Sequence, residues 1–368
     1  MSQFLAFCKR EIILIISAAA AVISCLFVPV TDYIQYVDTN MISILFCLMV
    51  VVAGFSQNNV FKRFSQILIG KCGNTRSLTV ILAMMTFFSS AFITNDVSLI
   101  TFVPFTILTF ASKKRYIPFV ITIQTIAANL GSALTPTGSP HNLYLFSAYK
   151  MSVLDFFKIT FPIFLISFCI IFALSMFVKK ETVETAQEDK IEISNRSYLY
   201  LYCILFALCL LSVFKVIDVM VVLVSVMIVV AIAQPRLFLK ADYGLLVTFV
   251  FFFIFIGNIQ NIEPVREFLT GIIKDREFIS SIALSQVISN VPTAVMMSGF
   301  TDKASDVILG CNIGGLGTIM ASLASLISFK AYLSSEEAKT GKYMAVFSIV
   351  NFLVLIILFI ITYKFFIF

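Results

Sequence analysis

Apolar residues run through this chain in long blocks, and the blocks set its elements. Continuous runs cover Ile12–Val30, Met41–Val60, Phe156–Val178, Tyr198–Phe214, Val216–Ala233, Tyr243–Ile262 and Tyr343–Tyr363. About 20 such residues make a helix that crosses a bilayer, so these runs predict single spans. Two other apolar segments carry a polar knot. Ser77–Ala111 is interrupted by Thr94-Asn95-Asp96, and Phe278–Phe300 by Ser289-Asn290-Val291-Pro292-Thr293. Phe278–Ile288 and Val291–Phe300 are each too short to cross, which predicts a hairpin that enters and returns on one side. The arms Ser77–Ile93 and Val97–Ala111 are longer and fit either a hairpin or two crossings.

Two more segments, Tyr116–Phe146 and Ala304–Phe329, are broken from within, and they echo each other. Aligned without a gap they match at Asn129/Asn312, Gly131/Gly314, Thr135/Thr318, Ser139/Ser322 and Leu143/Leu326. Pro136, Gly138 and Pro140 in the first make a helix break nearly unavoidable, since proline removes a backbone donor and clashes with the preceding turn. The run Gly314-Gly315-Leu316-Gly317-Thr318 does the same in the second. Gly54, Gln57 and Asn58 recur as Gly257, Gln260 and Asn261. Each half thus reads span, hairpin, broken span, span. The predicted fold is an all-α polytopic membrane protein of two inverted-topology repeats, 1–178 and 198–368. A polar linker, 179–197, joins them. The hairpins fall at 77–111 and 278–300 and the broken helices at 116–146 and 304–329. Ile12–Val30 and Val216–Ala233 extend the two halves, and Tyr198–Phe214 is left over.

Composition supports the membrane reading. Sixty per cent hydrophobic and 12% charged residues, with a mean hydropathy of +1.02, exclude an ordinary soluble domain, which carries about 25% charge. With 40 Phe and no Trp, Tyr and Phe must serve at the interfaces. The net charge of +6 does not point to nucleic acid, because the basic residues sit at helix ends. With the N-terminus in the cytoplasm, all but eight of the 26 Lys and Arg fall on the cytoplasmic side. The eight are Lys150, Lys158, Lys215, Arg266, Lys274, Arg276, Lys303 and Lys364. That bias orients the chain in a cell (plasma or inner) membrane, and it makes the two hairpins open to opposite faces. Lys9-Arg10 followed by an apolar stretch to Cys25 faintly resembles a lipoprotein cleavage box, but the apolar run continues to Val30 and reads as an uncleaved span. The eight Cys show no CxxC and read as small core residues.

The chemistry concentrates in the knots and breaks. Irregular backbone at membrane depth must be buried in protein or line a wet cavity, because lipid satisfies no free N–H or C=O. A break exposes a half-helix N-terminus that attracts anions and, at the opposite end, carbonyls that suit Na⁺. The candidate binding residues are Thr94, Asn95, Asp96, Asn129, Gly131, Thr135, Thr137, Gly138, Ser139, His141 and Asn142 in one half. In the other they are Ser289, Asn290, Thr293, Asn312, Gly314, Thr318 and Ser322. Taken singly, any Ser, Thr or Asn here is as well explained by hydrogen bonding between helices; the paired recurrence is what argues for a site. Asp96 is the acidic residue placed deepest, either functional, as intramembrane carboxylates are by default, or a cap of the hairpin's second arm. His141, the only His, is either a proton relay or a structural hydrogen-bonding residue. No Lys or Arg lies in the predicted core. An anion would be held by helix ends, amides, hydroxyls and co-bound cations. The chain lacks HExxH, a Walker A loop and a His/carboxylate cluster, so an enzyme is disfavoured. A scaffold or receptor gives no reason for paired broken helices.

Thr94-Asn-Asp-Val-Ser98, the Asn129–Leu143 loop and Ser289-Asn-Val-Pro-Thr293 together resemble the ion transporter superfamily. That group includes citrate and dicarboxylate/sodium symporters, arsenite permeases and some sodium/proton antiporters. The resemblance covers almost the whole chain. It implies an elevator-type permease for a small anion, often homodimeric, coupled to Na⁺ or H⁺ and needing no other cofactor. It also implies that Thr94-Asn95 and Ser289-Asn290 bind Na⁺ and substrate, with loop carbonyls completing the Na⁺ sites. The chain departs from the symporter tip Ser-Asn-Thr with Asp96 in one half and Val291 in the other. The Asn-Asp pair is closer to the arsenite permease and antiporter branches.

Overall fold

The computed structural model describes residues 12–28, 33–70, 72–182, 192–335 and 338–367. Cys8, Lys9, Arg10, Lys71, and the linker's Glu184, Glu188, Asp189 and Lys190 lie outside them. The described residues are helical, with no strand and one isolated bridge, Asn74 to Thr182. Seven helical stretches are long and apolar enough to cross a membrane: Thr39–Gln57, Thr75–Ile93, Ala111–Leu134, Val153–Met176, Arg196–Val213, Tyr243–Gln260 and Thr340–Ile367.

The element order is the same in both halves. Thr39–Gln57 leads to a short helix, Val60–Ile69. The pair Thr75–Ile93 and Asn95–Thr109 follows, then Ile117–Gly131, two 3₁₀ turns, Pro140–Ala148 and finally Val153–Met176. In the second half, Tyr243–Gln260 and Glu263–Ile273 lead to the pair Glu277–Ile288 and Asn290–Ser298. Ala304–Gly314, a 3₁₀ turn, Leu323–Leu333 and Thr340–Thr362 complete it. The breaks fall where proline and glycine forbid continuation: Thr135 and Ser139 adopt extended backbone in the first, Thr318 and Ser322 in the second. Surface ends are fixed by side-chain caps. Asp38, Asn74, Ser152, Asn195, Asp218 and Asp242 each accept a backbone N–H of the helix they precede, which typically stabilises by about 1 kcal/mol.

The helices gather into two bodies. The hairpin pairs and broken helices pack with Val153–Met176 and Thr340–Thr362, around Ile117–Gly131, which is buried along nearly its whole length. The second body holds Thr39–Gln57, Arg196–Val213, Val219–Ala233, Tyr243–Gln260 and Ile12–Phe27. Its helices exchange halves. Ile12–Phe27 packs along Tyr243–Gln260 of the second half, with Asn258 Nδ2 donating to Ser24 Oγ at 3.0 Å. Arg196–Val213 and Val219–Ala233 pack along Thr39–Gln57 of the first half. The Gly54/Gly257 echo marks this exchange. A Cβ at Gly54 would meet the Tyr202 ring at 2.6 Å, and one at Gly257 would run into the Tyr36 ring. Asn58 and Asn261 each donate back to the carbonyl of the glycine four residues earlier, at 2.9 and 2.8 Å. The two bodies meet where Pro140–Ala148 and Asn290–Ser298 lie against Tyr243–Gln260. There Tyr144 lies tilted against Phe253, with centroids 5.5 Å apart, and within its own body bonds Ser298 Oγ at 2.6 Å.

Candidate functional site

Each hairpin pair turns on one residue held in the same unusual backbone. Thr94 has φ 73°, ψ 150° and Ser289 has φ 75°, ψ 154°. That region is essentially glycine's, and a β-branched threonine there is a strong outlier. Each residue ends one helix and starts the next, and neither side chain caps the helix it starts. Strain of this kind persists only where the surroundings over-determine it, and it clusters at binding sites.

The strained turns deliver Asn95 and Asn290 to one junction. Asn95 Nδ2 donates to Asn129 Oδ1 at 3.3 Å. Asn129 Nδ2 in turn donates across the halves to Gly315 O at 3.3 Å and to Ser322 Oγ at 3.1 Å. Gly315 is the contact of the other tip: a Cβ there would sit 2.8 Å from Asn290 Nδ2. The counterpart link runs the opposite way. Asn312 Nδ2 donates to Asn142 Oδ1 at 2.8 Å and to Ile308 O at 2.9 Å. Its Oδ1 faces Asn142 Nδ2 at 3.1 Å and His141 Nε2 at 3.2 Å. Because Asn312 Nδ2 is committed to a carbonyl, its Oδ1 must accept, so His141 carries its proton on Nε2 and leaves Nδ1 a buried lone pair without a partner. Each half's asparagine therefore holds the other half's break.

Four half-helices begin at this junction, at Asn95, Pro140, Asn290 and Leu323. Ser139 and Ser322 cap two of them, accepting from Asn142 N and Ser325 N at 3.4 and 3.2 Å. Four positive dipole ends converge there, and the one Lys or Arg in these four half-helices is Lys330, in the last turn of Leu323–Leu333, far from its N-terminus.

The remaining sequence candidates sit around the junction and hold it in shape. Gly131 and Gly314 let the broken helices touch the first arm of their own hairpin. A Cβ on Gly131 would meet Phe87 O and Ser90 Oγ, and one on Gly314 would lie 2.8 Å from Ser285 Oγ. Ser90 and Ser285 stand four residues before Thr94 and Ser289, so the contact is the same in both halves. Gly138 closes a turn onto Ser132. Thr135 Oγ1 donates to Ala91 O and lies 3.3 Å from Thr137 Oγ1. Thr293 Oγ1 bonds Ser289 O at 2.8 Å. Asp96 turns away from Asn129: it lines a cavity of about 710 Å³ with Lys240, Asp242 and Lys330, and its Oδ1 is buried without a hydrogen-bond partner.

Two polar residues escaped the sequence reading. Gln286 clamps the second break, donating to Gly314 O at 2.8 Å and Leu316 O at 2.9 Å and accepting from Thr318 N at 2.9 Å. Gln124 accepts from Thr106 Oγ1 at 2.6 Å and donates to Thr86 Oγ1 at 3.2 Å, tying the first broken helix to both arms of its hairpin. Both are uncharged amides inside apolar runs, and that was the available signal.

The fold and the junction define a multi-span membrane protein with polar, irregular backbone buried at its centre, the architecture of a membrane transporter. Comparison with known proteins gives the class its family. The citrate transporter family profile matches residues 4–306. An uncharacterized transporter of Methanocaldococcus jannaschii is 30% identical over 332 residues, covering 89% of this chain and 90% of that one. An inner membrane protein of Escherichia coli is 25% identical over 80% of each chain. The transporter arsB of Dictyostelium discoideum is 27% identical over 39% of this chain and 26% of its own. The chain belongs to the citrate transporter family.

Proposed function

We propose that the protein is a secondary-active permease that moves a small anion, a carboxylate or oxyanion, coupled to Na⁺ or H⁺. The observation that carries the reading is the convergence of both hairpin turns and both helix breaks on one junction. Four half-helix N-termini supply fixed positive ends for an anion without an ion pair. Amide and hydroxyl oxygens of Asn95, Asn290 and Ser289, with the carbonyls of Gly315 and Ala321, are hard neutral donors that suit Na⁺. Asp96 and His141 are the groups able to carry a proton. In this reading the two halves are inverted copies and the hairpins are re-entrant. The hairpin-bearing body slides against the other as an elevator, and two chains form a dimer around the static body.

A thermal-shift panel of citrate, succinate, sulfate and arsenite, each with and without Na⁺, tests the class and the coupling together. A sodium-dependent stabilisation by one anion is the expected result. No shift with any of them, in either ionic condition, contradicts the reading. A second reading, arsenite or related oxyanion efflux, is favoured by the Asn95-Asp96 pair. Two relatives also favour it, the transporter arsB and a silicon efflux transporter of rice, 28% identical over 34% of this chain. In the panel it gives a shift with arsenite alone, independent of Na⁺.

A further inference from the structure

The cavity beside Asp96 belongs to neither body alone. Leu14, Lys240, Asp242 and Val247 come from one body, and Asp96, Leu326 and Lys330 from the other. Its inner end reaches the junction through two neighbours in sequence: Asp96 follows Asn95, and the lining residue Leu323 follows Ser322. The charges along it are sorted. Lys240 and Lys330 are exposed, and among the described residues neither is held in an ion pair. Asp242 is committed to its helix, accepting Leu245 N–H at 2.9 Å. Asp96 is the remaining acidic lining residue, with Oδ1 buried and unpartnered. Two free ammoniums and the capping carboxylate of Asp242 thus stand toward solvent, and the Asp96 carboxyl stands inside.

We infer that this cavity is a cytoplasmic loading vestibule, with Lys240 and Lys330 forming an outer station that gathers anions before they reach the asparagine junction. The inference rests on the permease reading and assigns it a path and a second binding position. With Asp242 held at its helix start, the two lysines leave the mouth net positive. An excess of one sign in a cleft with low-dielectric walls raises local counter-ion concentration and on-rate, by about 10-fold at the low end of the usual range. One lysine sits on each body, so the station exists only while the bodies hold this arrangement. The cytoplasmic side follows from the charge bias of the chain, which places both lysines there.

Cysteine labelling tests the vestibule without any substrate. Leu326→Cys is made with Cys8, Cys25, Cys169 and Cys203 replaced by serine; Ile327→Cys, another lining position, serves if the first variant does not fold. Membrane-impermeant anionic and cationic methanethiosulfonate reagents are applied to inside-out and right-side-out vesicles, with rates normalised to a free thiol. The expected result is modification from the cytoplasmic face, faster with the anionic reagent by about 10-fold at low salt. That preference collapses at about 1 M salt, where the Debye length is only about 3 Å. Adding Lys240→Gln and Lys330→Gln removes it. Faster reaction with the cationic reagent, a preference unchanged by the two substitutions, or modification from the outer face overturns the inference. Because no solute is involved, failure here leaves a positive thermal-shift panel standing.

Discussion

Asn312 bonds four groups with one side chain: Asn142 twice, His141 and Ile308 O. Replacing it with alanine strands buried polar atoms on the opposite half, each costing about 1–3 kcal/mol. Asn312→Ala is therefore expected to lower the detergent-solubilised unfolding midpoint markedly, with Asn142→Ala coupled to it non-additively; additive effects would show that the two amides act separately. Thr94 runs the other way. Its side chain caps nothing and its backbone is in glycine's region, so Thr94→Gly relieves strain of about 1–3 kcal/mol. The variant is expected to melt higher than wild type and to transport less, because the relaxed turn no longer fixes Asn95. An unchanged or lower midpoint counts against the strain. The paired Asn, Gly, Thr and Ser positions were legible because the same residue types recur in the same order. The φ values at Thr94 and Ser289 were not, since no local propensity favours them; tertiary packing imposes them. Gln286 and Gln124 were hidden because nothing in their local sequence says that their amides meet backbone from another helix.

The helix breaks were readable because proline and glycine act locally, and Thr135, Ser139 and Ser322 leave helical geometry within the predicted loops. The short helices Val60–Ile69 and Glu263–Ile273 escaped the reading because they carry polar residues amid apolar ones and are too short to register as spans. At this scale two glycines of the second half give a sharp contrast. A Cβ on Gly314 would lie 2.8 Å from Ser285 Oγ and 3.0 Å from Ile282 Cα, whereas one on Gly271 meets nothing within 4 Å. Gly314→Ala is expected to destabilise by about 1–3 kcal/mol through overpacking. Gly271→Ala, inside a helix, is expected to be neutral or stabilising by up to about 1 kcal/mol. Equal midpoints for the two variants would refute the close approach. The start of the linker is fastened too. Glu181 takes a hydrogen bond from Tyr116 at 2.7 Å and pairs with Lys113 at 3.2 Å and with Arg115. Thr75 donates to Lys179 O and Arg76 to Val178 O. The Tyr116 hydroxyl first, then Lys113 and Arg115, hold the Glu181 carboxyl below its ordinary value of 4.5. A carboxylate depressed in the folded state contributes stability above the unfolded value and loses it as pH falls through the folded one. Glu181→Gln should therefore melt below wild type at pH 6 to 7, with the gap closing below about pH 4.5 and narrowing in salt. A gap that persists at low pH would show that the carboxylate charge is not what holds the linker.

Across the whole molecule, helices trade partners between halves, Ile12–Phe27 lying on Tyr243–Gln260 and Val219–Ala233 on Thr39–Gln57. Hydrophobic runs identify helices but not neighbours, so the sequence could number the spans without pairing them. The hairpin-bearing body meets the rest through the aromatic contact of Tyr144 with Phe249 and Phe253, through Ser147 Oγ donating to Asp38 at 2.7 Å and through Gln260 Nε2 donating to Gly299 O at 2.5 Å. A sliding interface of this kind is what the proposed elevator motion requires. Solute counterflow in proteoliposomes, comparing wild type with Asn95→Ala plus Asn290→Ala, asks most directly whether the two turns build one site. The account predicts that exchange of the anion found in the thermal-shift panel is abolished while the protein still folds and inserts. Robust exchange by the double variant would contradict it.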